Sequence, residues 1–206
     1  KKGGKNMKIL IKNGMIVSDS ETYQADILIE DEKVKWIGTD LPKTDVDTVI
    51  DAEGKYVIPG AIDVHTHMDI DVGIARAVDD FYDGTVAAAC GGTTSIVDHM
   101  GFGPAGVPLH YQFNEYKKLT EGKAVIDYGF HGVAQHVDDD IIAELETMAE
   151  DGIPSVKAYL TYGFKLNDAE VLQILKKMKE IGGVTAFHCE NHELVEYMKK
   201  KLVKEG

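Results

Sequence analysis

Cysteine is scarce in this sequence, and long apolar runs are missing. The two cysteines, Cys90 and Cys189, lie far apart and match no disulfide framework. With no secretory signal in view, they point to a reducing, cytoplasmic setting. Eighteen apolar residues never follow one another, so no helical membrane span is expected. Positive charge is also short: 22 Lys and Arg stand against 35 Asp and Glu, for a net charge of −13. Phosphate-rich partners and anionic membranes require clustered Lys and Arg, so neither nucleic acid nor membrane is expected as a partner. A phosphate loop of the GxxxxGK type is absent, which leaves nucleotide binding with little support. Residues 1–6 are basic and polar but lack the apolar stretch of a targeting signal. They read as an added leader ahead of Met7, outside the fold.

What remains is an ordinary globular composition, 44% hydrophobic over 206 residues. Residues 7–57 show strand patterns and no helix. The stretch MKILIKNGMIV alternates about an expected turn at Asn13-Gly14. ADILIEDEKVKWIG reads as a strand, an acidic turn at Asp31-Glu32 and a returning strand. DAEGKYVIPG adds one more strand, ending at Pro59-Gly60.

From residue 58 to 206 the pattern becomes strand-helix alternation, legible five times. Helices are expected from Asp79 to Cys90, over VPLHYQFNEYKKLTEG, over DDDIIAELETMAEDG, over NDAEVLQILKKMKEIGG and from Glu193 to Lys204. Asn167 is placed to cap the fourth with Glu170 three residues on, and Val171, Leu175 and Met178 mark its expected buried face. Asp79, Asp80 and Asp83 read as a solvated first helical turn favoured by the helix dipole. Such alternation means parallel strands with crossover helices, in a barrel or a doubly wound sheet. Without a phosphate loop the α/β barrel is the better reading, although a whole eight-stranded barrel takes about 250 residues.

The chemistry-bearing residues lie at strand ends. In AIDVHTH, strand alternation points Asp63, His65 and His67 to one face, where two imidazoles on a rigid strand make half of a divalent-metal site. A hydrogen-bonded or solvated pair is the alternative. SVKAYL sets Lys157 inside an apolar strand, where a bare ammonium is costly unless it snorkels to water. AFHCEN ends another strand in His188, readable as a ligand or as a satisfied core histidine. Asp98 and His99 read as a hydrogen-bonded strand-end pair, and Asp63 as a carboxylate orienting a ligand imidazole.

Taken in order, PGAIDVHTH, GGTTSIVDHM, SVKAYLTY and FHCEN resemble the cyclic-amidohydrolase branch of the amidohydrolase superfamily, in particular its hydantoinase and dihydropyrimidinase members. The resemblance runs from about Met7 to Gly206. It implies a (β/α)8 TIM-type barrel, partial in this chain, with a small N-terminal β-sandwich portion over residues 7–57. It implies that His65, His67, an N-carboxylated Lys157 and His188 bind two divalent metal ions, zinc by type, and that Tyr162 stabilises the oxyanion. Asp71, Tyr159 and Phe164 fall in the loops that would contact substrate, Met68–Ile74 and Tyr159–Phe164. The implied reaction opens a 5-substituted hydantoin or dihydropyrimidine to an N-carbamoyl amino acid through a binuclear metal-bound hydroxide. A further histidine and the aspartate base of the family are not found in these residues. The implied assembly is a homotetramer. Two other readings stay open: dihydroorotase or allantoinase activity at the same site, and a non-catalytic scaffold like the collapsin response mediators. Retention of His65, His67, Lys157 and His188 speaks against the scaffold.

Overall fold

A computed structural model describes residues 7–206, in two compact units divided between Pro59 and Gly60. The leader reading of residues 1–6 lies outside the described residues. The first unit holds β1 (Lys8–Val17), β2 (Thr22–Glu30), β3 (Lys33–Gly38), β4 (Thr48–Asp51) and β5 (Tyr56–Val57). They form one sheet in the order β3-β2-β1-β4, with β5 also on β1. Pairing is antiparallel among β1, β2 and β3, while β4 and β5 run parallel to β1. Leu10, Ile16, Ala25 and Ile27 are buried here.

The expected turn at Asn13-Gly14 is not one. β1 runs straight through, with a bulge at Lys12-Asn13 where the β1–β2 register shifts between Ile11 and Gly14. Asn13 adopts a positive φ of 62°. Its amide donates to Asp26 Oδ1 at 2.9 Å and its side chain to Asp51 at 3.0 Å, so the bulge is held by carboxylates rather than by hairpin pairing. Gly14 sits where an added Cβ would fall 2.5 Å from Val57 Cγ2. The acidic turn at Asp31-Glu32 is present, with Asp31 at φ 56°.

The second unit repeats strand and helix five times: β6 (Ala61–Thr66), α1 (Phe81–Cys90), β7 (Thr93–His99), α2 (Leu109–Thr120), β8 (Asp127–Val133), α3 (Asp139–Glu150), β9 (Ser155–Tyr159), α4 (Asp168–Glu180), β10 (Val184–His188) and α5 (His192–Glu205). The five strands pair in parallel in the order β10-β9-β8-β7-β6, which makes the unit a partial (β/α)8 barrel. Phe81, Ile96, Met100, Ala158 and Ile174 are among the core side chains between sheet and helices.

Helix ends follow their local chemistry. Asp80 caps α1 by accepting from the amides of Tyr82 and Asp83, so the helix begins at Phe81 and Asp79 lies outside it. Asn167 and Glu170 form a full capping box on α4. The buried face of α4 is Ile174 and Met178, with Val171 half-buried, whereas Leu175 is exposed. Ile174 and Met178 share one i, i+4 row, and Leu175 stands a hundred degrees round from it. Among the described residues no helix is long and apolar enough to cross a membrane.

Candidate active site

β6 brings His65 and His67 to the carboxyl edge of the parallel sheet. Their Nε2 atoms stand 3.1 Å apart, and the rings meet edge to face with centroids 4.9 Å apart. His67 lies one residue past the strand, and the β6–β7 register breaks between Asp63 and Thr66. The imidazoles therefore converge at an irregular strand end and not on a regular alternating face. Asp63 does not hold a ring, contrary to expectation. Its Oδ1 accepts the backbone N–H of His65 at 3.1 Å, and the carboxylate acts on the His65 ring through its charge alone.

Lys157, in the middle of β9, is 9% exposed. Burial lowers its pKa, offset in part by the charge of Cys189 and by no carboxylate among the described residues. Its Nζ lies 5.7 Å from the ring centroid of Tyr159. Both paired histidines titrate below the ordinary range. Loss of hydration is the main cause, followed for His65 by the charge of Lys157 and for His67 by His65 and then Lys157.

His188, at the end of β10, stacks on Tyr159 at 5.7 Å and an 18° tilt. Its Nε2 donates to Glu190 at 2.6 Å, and the Tyr162 hydroxyl donates to the same carboxylate oxygen at 3.2 Å. Tyr162 holds a φ of 69°, strained for a bulky residue, which aims its ring back toward His188 with centroids 5.0 Å apart. Buried Tyr159 has its hydroxyl pushed up to about 12 by burial and donates to His99 Nε2 at 3.2 Å.

Beside these groups lies a cleft of about 1100 Å³, lined among others by His67, Ile70, Asp71, Tyr159, Tyr162, Phe164 and His188. All three expected substrate-loop residues, Asp71, Tyr159 and Phe164, face it. The segment after His67 folds as a hairpin, with Asp71 bridged to Arg76 and Asp69 paired to Arg76 at 2.5 Å. The structure thus groups His65, His67 and Lys157. His188 stacks on Tyr159, is bonded to Glu190 and lines the same cleft as His67. Among the described residues no three His, Cys, Asp or Glu side chains form a cluster able to hold an ion by themselves.

Sequence reasoning missed several neighbours. Phe102 stacks on Phe164 at 4.8 Å and packs on Tyr159 at 4.9 Å. His131 donates from Nε2 to the Val64 carbonyl at 2.7 Å and accepts from Ser155 at 2.6 Å, tying β8 to β6 and β9. Glu190 is two residues past His188, and a histidine-carboxylate spacing of two at a strand end was the available signal. Asp98 and His99 are hydrogen-bonded as expected and fully buried. Burial pushes Asp98 up to about 7 and His99 down to about 3.

Parallel β/α units with imidazoles, a buried lysine and an aromatic cleft at the carboxyl ends of the strands define a barrel whose site lies where barrel enzymes keep theirs. The chain belongs to the amidohydrolase family, whose profile matches residues 56–206. It is 50% identical over 200 residues to a D-phenylhydantoinase of Escherichia coli O1:K1, covering 97% of this chain and 43% of that protein. Among solved structures it is similar to the dihydropyrimidinase from Brevibacillus agri, with TM-score 0.93, 43% identity, and coverage of 97% of this chain and 44% of that one. The D-hydantoinase from Bacillus sp. AR9 gives TM-score 0.91 and 42% identity, with 96% of this chain and 43% of that one covered. The chain spans less than half the length of these relatives.

Proposed function

We propose that this chain is the amino-terminal part of a cyclic amidohydrolase that opens a 5-substituted hydantoin or dihydropyrimidine to an N-carbamoyl amino acid. The observation that carries the reading is Lys157, buried without a carboxylate partner and close enough to His65 and His67 for its charge to act on both. An ammonium so placed is costly. Loss of one proton gives the neutral amine, and bonding its Nζ to the carbon of CO2 with release of a second proton makes a carbamate anion that cations would stabilise. The donor set fits a metal centre: His65, His67, carboxylated Lys157 and His188 would hold two divalent ions, zinc by ligand chemistry. When bound, such ions supply Lewis acidity and lower the pKa of water.

The remaining roles belong to the chain's own side chains. The Tyr162 hydroxyl donates to the carbonyl oxygen as negative charge grows there. Ile70, Phe102 and Phe164 line the cleft, exclude water and seat the 5-substituent, while Asp71 and Tyr159 contact the ring. Within the same reading, residues 7–57 are a β-sandwich portion, and the intact protein is a cytoplasmic homotetramer. The exposed free thiols of Cys90 and Cys189 suit a reducing compartment.

Turnover tests this. Joined to the remaining length found in its relatives, the chain is expected to open 5-phenylhydantoin faster than dihydroorotate or allantoin, and to lose turnover on chelation. Mass spectrometry of the native protein should find one CO2 on Lys157. Purified protein with no metal and no ring-opening activity would fit the scaffold instead.

A further inference from the structure

The end of β6 is irregular at the very residues that must present the two imidazoles. Between Asp63 and Thr66 the β6–β7 register is broken, so main-chain pairing alone does not fix that stretch. One side chain from β7 takes over. Asp98, 0% exposed, uses a single oxygen, Oδ2, to accept from the Thr66 hydroxyl at 2.7 Å and from the Met68 backbone N–H at 2.8 Å. These donors belong to the residues immediately before and after His67. The other oxygen, Oδ1, is buried and unpartnered among the described residues. No cationic group bonds this carboxylate.

Burying an ionisable carboxyl with half its acceptor capacity unused is unfavourable. An apolar residue would pack the same space without that cost. The carboxyl therefore has a use other than stability, and its bonds say what it holds. The next residue works at the same place. His99 donates from Nδ1 to the Met100 carbonyl at 2.7 Å, and its fixed ring lies 4.9 Å from His67 and 5.3 Å from His65, centroid to centroid.

We infer that Asp98 is a positioning residue: a clamp on Thr66 and Met68 that sets the backbone around His67 so that the imidazoles of His65 and His67 converge for metal binding. The inference rests on the metal reading proposed above. It assigns Asp98 no contact with metal or substrate. It acts through the main chain on either side of a ligand, where outer-layer partners typically contribute about 10–100-fold in metal affinity.

Cobalt(II) added alone to the 206-residue chain, freed of metal, gives the test through its visible absorption. The wild-type chain should develop bands that His65→Ala and His67→Ala abolish. Asp98→Ala should weaken cobalt binding by about 10–100-fold and shift the bands. Thr66→Val, which removes one of the two donors, should weaken it by a smaller factor. Asp98→Asn keeps the acceptor and should restore most of the affinity. Circular dichroism of each variant separates loss of folding from loss of binding. A folded Asp98→Ala that binds cobalt as tightly as wild type, with unchanged bands, overturns the clamp while leaving the metal reading intact. Should Asp98→Ala fail to fold, an unchanged affinity in Thr66→Val overturns it equally. If the wild-type chain takes up no cobalt at His65 and His67, the metal reading itself falls and the clamp with it.

Discussion

Asp26 carries much of the cohesion of the first unit. It is 4% exposed, pairs with Lys12 at 3.0 Å and accepts from the amides of Asn13 and Leu41, each at 2.9 Å. Burial raises its pKa, but those hydrogen bonds and the ammonium outweigh burial and leave it below the ordinary carboxylate value of 3.8. Its stabilising contribution is therefore complete above that value and is lost as pH falls through the lower, folded one. Asp26→Ala is expected to destabilise the unit by roughly 2 kcal/mol, since it leaves two amides without their acceptor and the half-buried Lys12 ammonium with the Leu41 carbonyl as its remaining bond. Trp36, the sole tryptophan, lies in β3 and reports on this unit by fluorescence. Urea titrations from pH 7 to pH 2 should show an acid-dependent loss in wild type that Asp26→Asn lacks. In the second unit, Tyr162 is half exposed and holds a φ that favours glycine. Tyr162→Gly should leave stability within about 1 kcal/mol of wild type, while the fused, metal-loaded enzyme loses about 10²–10³-fold in kcat. A variant that keeps its turnover would remove Tyr162 from the oxyanion role. None of these couplings could be read from the sequence. It places His65 near a strand end, Lys157 within a strand and Tyr162 in the loop that follows, by pattern and resemblance, but the partners of Asp26 and Asp98 depend on which strands lie side by side.

At the scale of elements, caps and bulges decide where segments begin and bend. Asn167→Ala removes an accepted bond from the α4 capping box and is expected to cost about 1 kcal/mol in thermal melts followed at 222 nm by the helix signal. Gly14→Ala drives a methyl toward Val57 and should cost about 1–3 kcal/mol. Were Gly14 in an open turn, as its sequence suggests, the same change would cost far less. Capping was legible because Asn167 and Glu170 act within four residues of each other. The bulge was not, because Asn-Gly marks a hairpin equally well, and the choice is made by Asp26 and Asp51 from other strands. Leu175 misled for a similar reason: it has the right composition for the buried row of α4 but stands one position off it.

At the scale of the whole molecule, parallel alternation made the barrel class legible, while the edges of the partial sheet were not. α5 buries none of its residues, and Leu194, Tyr197 and Leu202 are each more than half exposed. On β6 at the other edge, Ile62 and Val64 are both 63% exposed. Apolar area of this kind drives association. Sedimentation of the 206-residue chain should show concentration-dependent oligomers, and Leu194→Lys with Leu202→Lys should shift the population toward monomer. A monodisperse monomer at all concentrations would count against this.

The strand order of the second unit matches chain order throughout, with each strand lying next to the one made just before it. On a ribosome, every new strand therefore emerges to find its pairing edge already built, and no strand waits for a distant partner. Growth can proceed one β/α unit at a time from the amino-terminal side, each addition closing only a short loop. A translation pause after any helix would then leave a nascent chain whose finished units already resist protease.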